Sequence, residues 1–85
     1  MELLHSRCAG LDVHKKSVSA CVRISDGGRT RKETAVFGTF TSDLEHLREW
    51  LEKHKVTHVA LESTGVFWIP VWNVLERSDA KLELF

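Results

Sequence analysis

The chain has 85 residues, 42% of them hydrophobic and 28% charged, which fits one small folded domain with a modest core and excludes a disordered or membrane-embedded composition. Twelve basic residues balance twelve acidic ones for a formal net charge of zero. That argues against a strong electrostatic footprint for nucleic acid over the whole chain and leaves room for a local basic patch. No apolar run approaches the roughly 20 residues needed to cross a bilayer. The opening MELLHSR lacks the basic start and long apolar middle of a secretory signal, so a cytoplasmic location and no membrane partner are expected.

In chain order, residues 8–13 read as a buried strand that ends on Asp12 and Val13. His14-Lys15-Lys16 is a polar break. Ser17 to Ile24 alternates polar and apolar residues, as a half-buried strand does. Asp26-Gly27-Gly28 supplies positive-φ turn chemistry and predicts a hairpin. Lys32 to Phe40 is β-branched and aromatic and predicts a third strand, with Gly38 a bulge or a point of close approach. Cys8 and Cys21 are too few for a disulfide framework and lack zinc-site spacing, so both are expected to be reduced, buried thiols.

The pattern changes at Ser42. Ser42-Asp43-Leu44-Glu45 fits a capping box, and Leu44, Leu47, Trp50 and Leu51 then recur at helical spacing, with Glu49 and Lys53 placed for an ion pair one turn apart. His58 to Leu61 is a short apolar strand that ends at Glu62. Ser63-Thr64-Gly65 marks a turn, with Ser63 and Thr64 in position to cap the helix that follows. Helical periodicity runs from Val66 to Arg77, and Pro70 sets the start of the regular helix near Ile69. Lys81 to Phe85 begins another strand.

The predicted order is therefore β-β-β-α-β-α-β in one α/β domain. A strand–helix–strand crossover favours parallel strands. If the two runs that end on Asp12 and Glu62 lie side by side, their carboxylates share one edge of the sheet, where ligands bind in open α/β folds. Oxygen-only ligands suit Mg²⁺ or Mn²⁺ rather than zinc, at a site able to act on a phosphodiester. Singly, each residue has a plainer role: Asp12 starts a turn and Glu62 favours the positive end of the next helix. His14, Lys15 and Lys16 read either as a solvated turn or as phosphate contacts, and Ser63 and Thr64 either as caps or as substrate contacts. His5, His46, His54 and His58 have no ligand-like partners in the sequence.

GLDVHKKSVSACV followed by THVALESTGVFWIPVWNVLE resembles the N-terminal catalytic domain of the DEDD transposases, the bacterial insertion-sequence family that includes the Piv DNA invertase. That domain is similar to the RuvC Holliday-junction resolvase, within the ribonuclease H-like fold. The resemblance runs from about Cys8 to Phe85, and ESTGVFWIPVWNVLE is its specific part. Phe67, Ile69 and Trp72 stand where relatives more often carry tyrosine, lysine and tyrosine.

The resemblance implies that Asp12 and Glu62 are the family's first two acidic positions, ligands for Mg²⁺ or Mn²⁺ in DNA cutting and rejoining. It implies DNA as partner, with a structured guide RNA in some relatives and a homo-oligomeric assembly. The family's later acidic residues and its serine-bearing domain have no counterpart in these residues. The chain is thus expected to be a fragment, residues 1–85 forming the N-terminal part of a RuvC-like domain truncated after the last of the five predicted strands, with little activity alone. Two other readings stand beside this one. An actin- or sugar-kinase-like ATP-binding half also begins with a Gly-x-Asp strand and hairpin, although His14-Lys15-Lys16 is bulky where a phosphate loop needs small residues. A non-catalytic assembly module would pair with another copy along the edge that KLELF exposes.

Overall fold

The Gly27–Gly28 turn registers the first half of the molecule. Both glycines have positive φ, 56° and 82°, the conformation of a two-residue type I′ hairpin, and Asp26 pairs with Arg29 across them. In the computed structural model, which describes residues 6–85, this turn joins β2 (Val18–Asp26) to β3 (Arg29–Phe37). β1 (Arg7–Val13) lies antiparallel to β2, joined by a turn closed by the bond from His14 N–H to the Ser17 carbonyl, 2.9 Å. β3 is three residues longer at its start than the residue types predict and stops at Phe37, before Gly38. Most of its side chains are exposed. Pairing needs only backbone donors and acceptors, so the charged run Arg29–Lys32 joins the ladder without an apolar pattern.

β4 (His58–Ser63) pairs parallel with β1, and β5 (Lys81–Leu84) pairs parallel with β4. The sheet order is β3-β2-β1-β4-β5. Two helices complete the described residues: α1 (Thr41–Lys53) between β3 and β4, and α2 (Trp68–Leu75) between β4 and β5. Both crossovers advance in the same direction along the sheet. Their right-handedness therefore puts both helices on one face, where α1 and α2 also pack on each other.

That covered face holds the core. Leu11, Val13, Val18, Val22 and Leu61 from the sheet meet Leu44, Leu47 and Leu51 of α1 and Val71, Val74 and Leu75 of α2. The helical leucines recur at 3- and 4-residue spacing, as an amphipathic helix requires. Phe37 and Trp50 seal one margin at 5.5 Å between ring centres. Trp68 and Trp72 stack edge to face at 5.8 Å, half-buried against the core, and the Trp72 indole donates to Glu76 at 2.9 Å. Cys8 is buried and its thiol is pushed up by desolvation, partly offset by Arg23 and reinforced by Cys21; Cys21 is only half-buried.

Local chemistry departs from expectation at the helix ends. The first residue before α1 is Phe40, whose ring cannot accept a hydrogen bond, and Ser42 lies inside the first turn rather than capping it. Only the reciprocal half of a capping box forms, with Phe40 N–H donating to Asp43 Oδ2 at 3.2 Å. Gly38 is the predicted close approach: a Cβ there would collide with the Asp43 carboxylate. Glu49 and Lys53 form no ion pair. The helix surface is instead tied by Arg48, which reaches Glu52 at 2.8 Å and Glu45 at 3.3 Å, while Arg77 after α2 also pairs with Glu45. Ser63 and Thr64 do not cap α2, which starts after Phe67 with no side-chain cap. Pro70 falls in its first turn, where a missing N–H breaks no helical bond.

At its other end α1 closes with a Schellman motif. Lys55 N–H donates to the Glu52 carbonyl at 2.9 Å and Val56 N–H to the Leu51 carbonyl at 3.1 Å. The motif forces Lys55 to φ 56°, a conformation disfavoured for a residue with a Cβ by about 1–2 kcal/mol. Lys55→Gly removes that strain at the expense of a more flexible unfolded chain. We expect a net stabilisation of about 0.5–1 kcal/mol, measured as a rise in thermal midpoint of a few degrees.

Candidate metal and nucleic-acid site

Parallel pairing of β1 with β4 sets Asp12 directly opposite Glu62. Neighbouring strands lie about 4.8 Å apart and register partners point to the same face. Their neighbours Leu11, Val13 and Leu61 are buried beneath the helices, so the carboxylates alternate to the other, helix-free face, and both are exposed. The row they belong to continues through Ser19 to Val36. The next row, Thr34, Cys21, Gly10 and Ala60, is small, and together these residues line an open depression of about 620 Å³.

The electrostatics are local. Two like charges about 5 Å apart in water repel by about 1 kcal/mol, a modest penalty for solvated groups. His14 lies against one of the two carboxylates, with Nε2 at 3.1 Å from Asp12 Oδ2. The sequence does not predict this pairing, since His14 reads there as part of the polar turn, although residues two apart at a strand end share a face. A basic row, Lys32, Arg23 and Cys8 continuing to His58 and Lys81, crosses the same face. It is four residues, or about 13 Å, from the acidic row, beyond the Debye length of about 8 Å at physiological salt. It therefore does not neutralise the carboxylates.

The other sequence-predicted residues gather at the same edge. Lys15 and Lys16 are exposed in the β1–β2 turn. The Thr39 hydroxyl donates to the Lys15 carbonyl at 3.2 Å, fastening the segment after β3 to that turn. Ser63 ends β4, and Thr64 N–H donates to the Val13 carbonyl at 3.2 Å, which holds the following turn beside the end of β1. Gly65 then reverses the chain at φ 61°. His46, His54 and His58 lie away from the pair, His54 against Trp50 and His58 hydrogen-bonded to Thr57; His5 lies outside the described residues.

Two carboxylates side by side fit a hard divalent cation such as Mg²⁺, which is held through one or two carboxylates and keeps several waters. Among the described residues, no third His, Cys, Asp or Glu joins them in a metal-holding cluster.

The architecture is that of a small α/β unit with a mixed five-stranded sheet, and solved structures share it. An exopolyphosphatase from Cytophaga hutchinsonii is similar over 93% of this chain at TM-score 0.64 and 10% identity, the match covering 34% of that chain. The Aquifex aeolicus member of the Ppx/GppA family is similar over 93% of this chain at TM-score 0.61 and 12% identity, with 34% of that chain covered. A further structure of the Aquifex aeolicus PPX-GPPA enzyme gives 0.64 and 14%, with 93% and 35% covered. At these identities the likeness is one of fold, and the chain spans about a third of the length of those proteins. No curated protein matches the sequence. Residues 9–84 match the transposase family DEDD_Tnp_IS110. The chain belongs to this IS110-type family of DEDD transposases. No helix among the described residues is long and apolar enough to cross a membrane.

Proposed function

We propose that these residues form the first part of a ribonuclease H-like catalytic domain in a DNA transposase or recombinase, with Asp12 and Glu62 as ligands for Mg²⁺ or Mn²⁺. The observation that carries the reading is the direct register of two carboxylates on adjacent parallel strands at the carboxyl edge. When bound, the cation supplies Lewis-acid polarisation of a phosphodiester and activation of the attacking oxygen. Asp12 and Glu62 orient it, and His14 fixes the Asp12 carboxylate in place. Lys15 and Lys16 hold the DNA backbone beside the pair, and Ser63 and Thr64 contact phosphate from the turn after β4. With two ligands, the chain by itself binds metal weakly and does not cut DNA. The same reading extends to a homo-oligomer pairing through β5 and, in the whole protein, to a structured guide RNA.

The test of the DNA-binding part is salt-dependent binding of a short DNA. Replacing both lysines (Lys15→Gln with Lys16→Gln) should weaken binding at low salt and reduce the salt slope by about 2, roughly one for each phosphate no longer neutralised. An unchanged slope would remove these lysines from the interface.

Likeness to exopolyphosphatases supports a second reading, an ATP- or polyphosphate-binding half. Such loops present successive backbone N–H groups in alternating right- and left-handed conformation. Positive φ among the described residues occurs at Lys55, Gly27, Gly28 and Gly65, and not in the β1–β2 turn. That turn offers no such cradle, which favours the transposase reading. Tight binding of ATP or polyphosphate, unaffected by DNA, would reverse the preference.

A further inference from the structure

Large apolar side chains left in water are scattered singly on most monomers, and a cluster marks an interaction surface. Here every large hydrophobic side chain exposed among the described residues sits near the carboxyl edge of the sheet. Val36 is at the end of β3, Phe40 precedes α1, Val66, Phe67 and Ile69 lead into α2, and the rest close β5. Phe40 is 81% exposed and Phe67 37%. Neither ring contributes to the core cluster, and neither is needed to form its helix, since a phenyl group cannot cap.

The chain beside each ring is tied to the carboxyl edge that carries the acidic pair. Thr39, next to Phe40, is fastened to the basic turn at Lys15. Thr64, three residues before Phe67, is fastened to Val13, next to Asp12. β3 and β4 are three places apart in the sheet, about 14 Å, and β1 with Asp12 lies between them. Exposed aromatic faces beside lysines are the elements that hold unpaired nucleic acid, the rings stacking on bases while the cations track phosphates. In a duplex those base faces are already stacked on one another. A polypeptide partner would not explain why exposed rings share this edge with the basic Lys15-Lys16 turn.

We infer that Phe40 and Phe67 are stacking platforms for unpaired nucleobases on either side of the Asp12–Glu62 pair, so that this edge takes a locally unpaired nucleic-acid strand in preference to a duplex. The inference rests on the nucleic-acid reading above and adds the state of the substrate to it.

The test uses a fluorescent unpaired oligonucleotide of about 12 nucleotides, within the usual site size for such surfaces, and its duplex. A second oligonucleotide carries 2-aminopurine, whose emission reports stacking. Phe40→Leu and Phe67→Leu keep apolar bulk and remove the flat ring. The chain should bind the unpaired strand more tightly than the duplex. Each variant should weaken that binding by about 5- to 150-fold and lose the 2-aminopurine response, with duplex binding unchanged. Leucine variants that bind the unpaired strand like the parent chain overturn the inference. If the lysine replacements still weaken binding in that case, the nucleic-acid reading survives. If the parent chain binds neither form at low salt, both fail. Variants that alter self-association in light scattering and leave oligonucleotide binding intact assign the rings to an interface between copies, which also overturns the inference.

Discussion

Leu61→Ala should bring the domain close to unfolding at ambient temperature. Leu61 is fully buried, on a strand bonded on both sides, and belongs to the core cluster that includes α1 and α2. Truncating such a leucine costs about 2–5 kcal/mol, the upper end applying where rigid neighbours cannot collapse into the cavity. A domain of this size holds roughly 4–13 kcal/mol in total, at about 0.05–0.15 kcal/mol per residue. The expected fall in thermal midpoint is at least about 10 °C. Leu84→Ala, on the edge strand and 42% exposed, should shift stability by under about 1 kcal/mol. Similar midpoints for the two variants would mean that β4 is not the centre of the core.

Asp12→Asn should have opposite effects on stability and on metal response. Without metal, the substitution removes a like charge directly opposite Glu62, which relieves about 0.2–1 kcal/mol of repulsion, less whatever the His14 pairing contributes. Added Mg²⁺ or Mn²⁺ should raise the thermal midpoint of the parent chain, because a ligand that binds only the folded state stabilises it by mass action. The Asn variant should show no such rise. Equal metal-induced shifts in the two proteins would place the binding elsewhere.

These contrasts follow how legible each part is in the sequence. Gly27-Gly28, the alternation of β2 and the leucine spacing of α1 make the element order legible, whereas the β1–β4 pairing that sets Asp12 beside Glu62 is conditional in the sequence and appears in the sheet. Edge features are less legible. The charged start of β3 has no apolar pattern because neither of its faces is buried there. Residue type points to Ser42 as the cap of α1, whereas the path from Gly38 through Thr39 is fixed by a bond to the β1–β2 turn. Glu49 and Lys53 are correctly spaced, but Arg48 has carboxylates within reach on both sides. The bare second face, the His14–Asp12 pairing and the gathering of exposed rings depend on which side both crossovers take, and no local pattern records that.

That Asp12 and Glu62 together hold a divalent cation is tested most directly by titrating isotope-labelled chain with Mn²⁺ and following the paramagnetic broadening of amide and carboxylate signals. Saturable broadening should begin at Asp12 and Glu62 and spread to Gly10, Val13 and Ser63, with an affinity on the order of 10⁻³ M for a site of two carboxylates, and Asp12→Asn should abolish it. Broadening that spares both carboxylates, or that is the same in the Asn variant, would contradict a shared cation site.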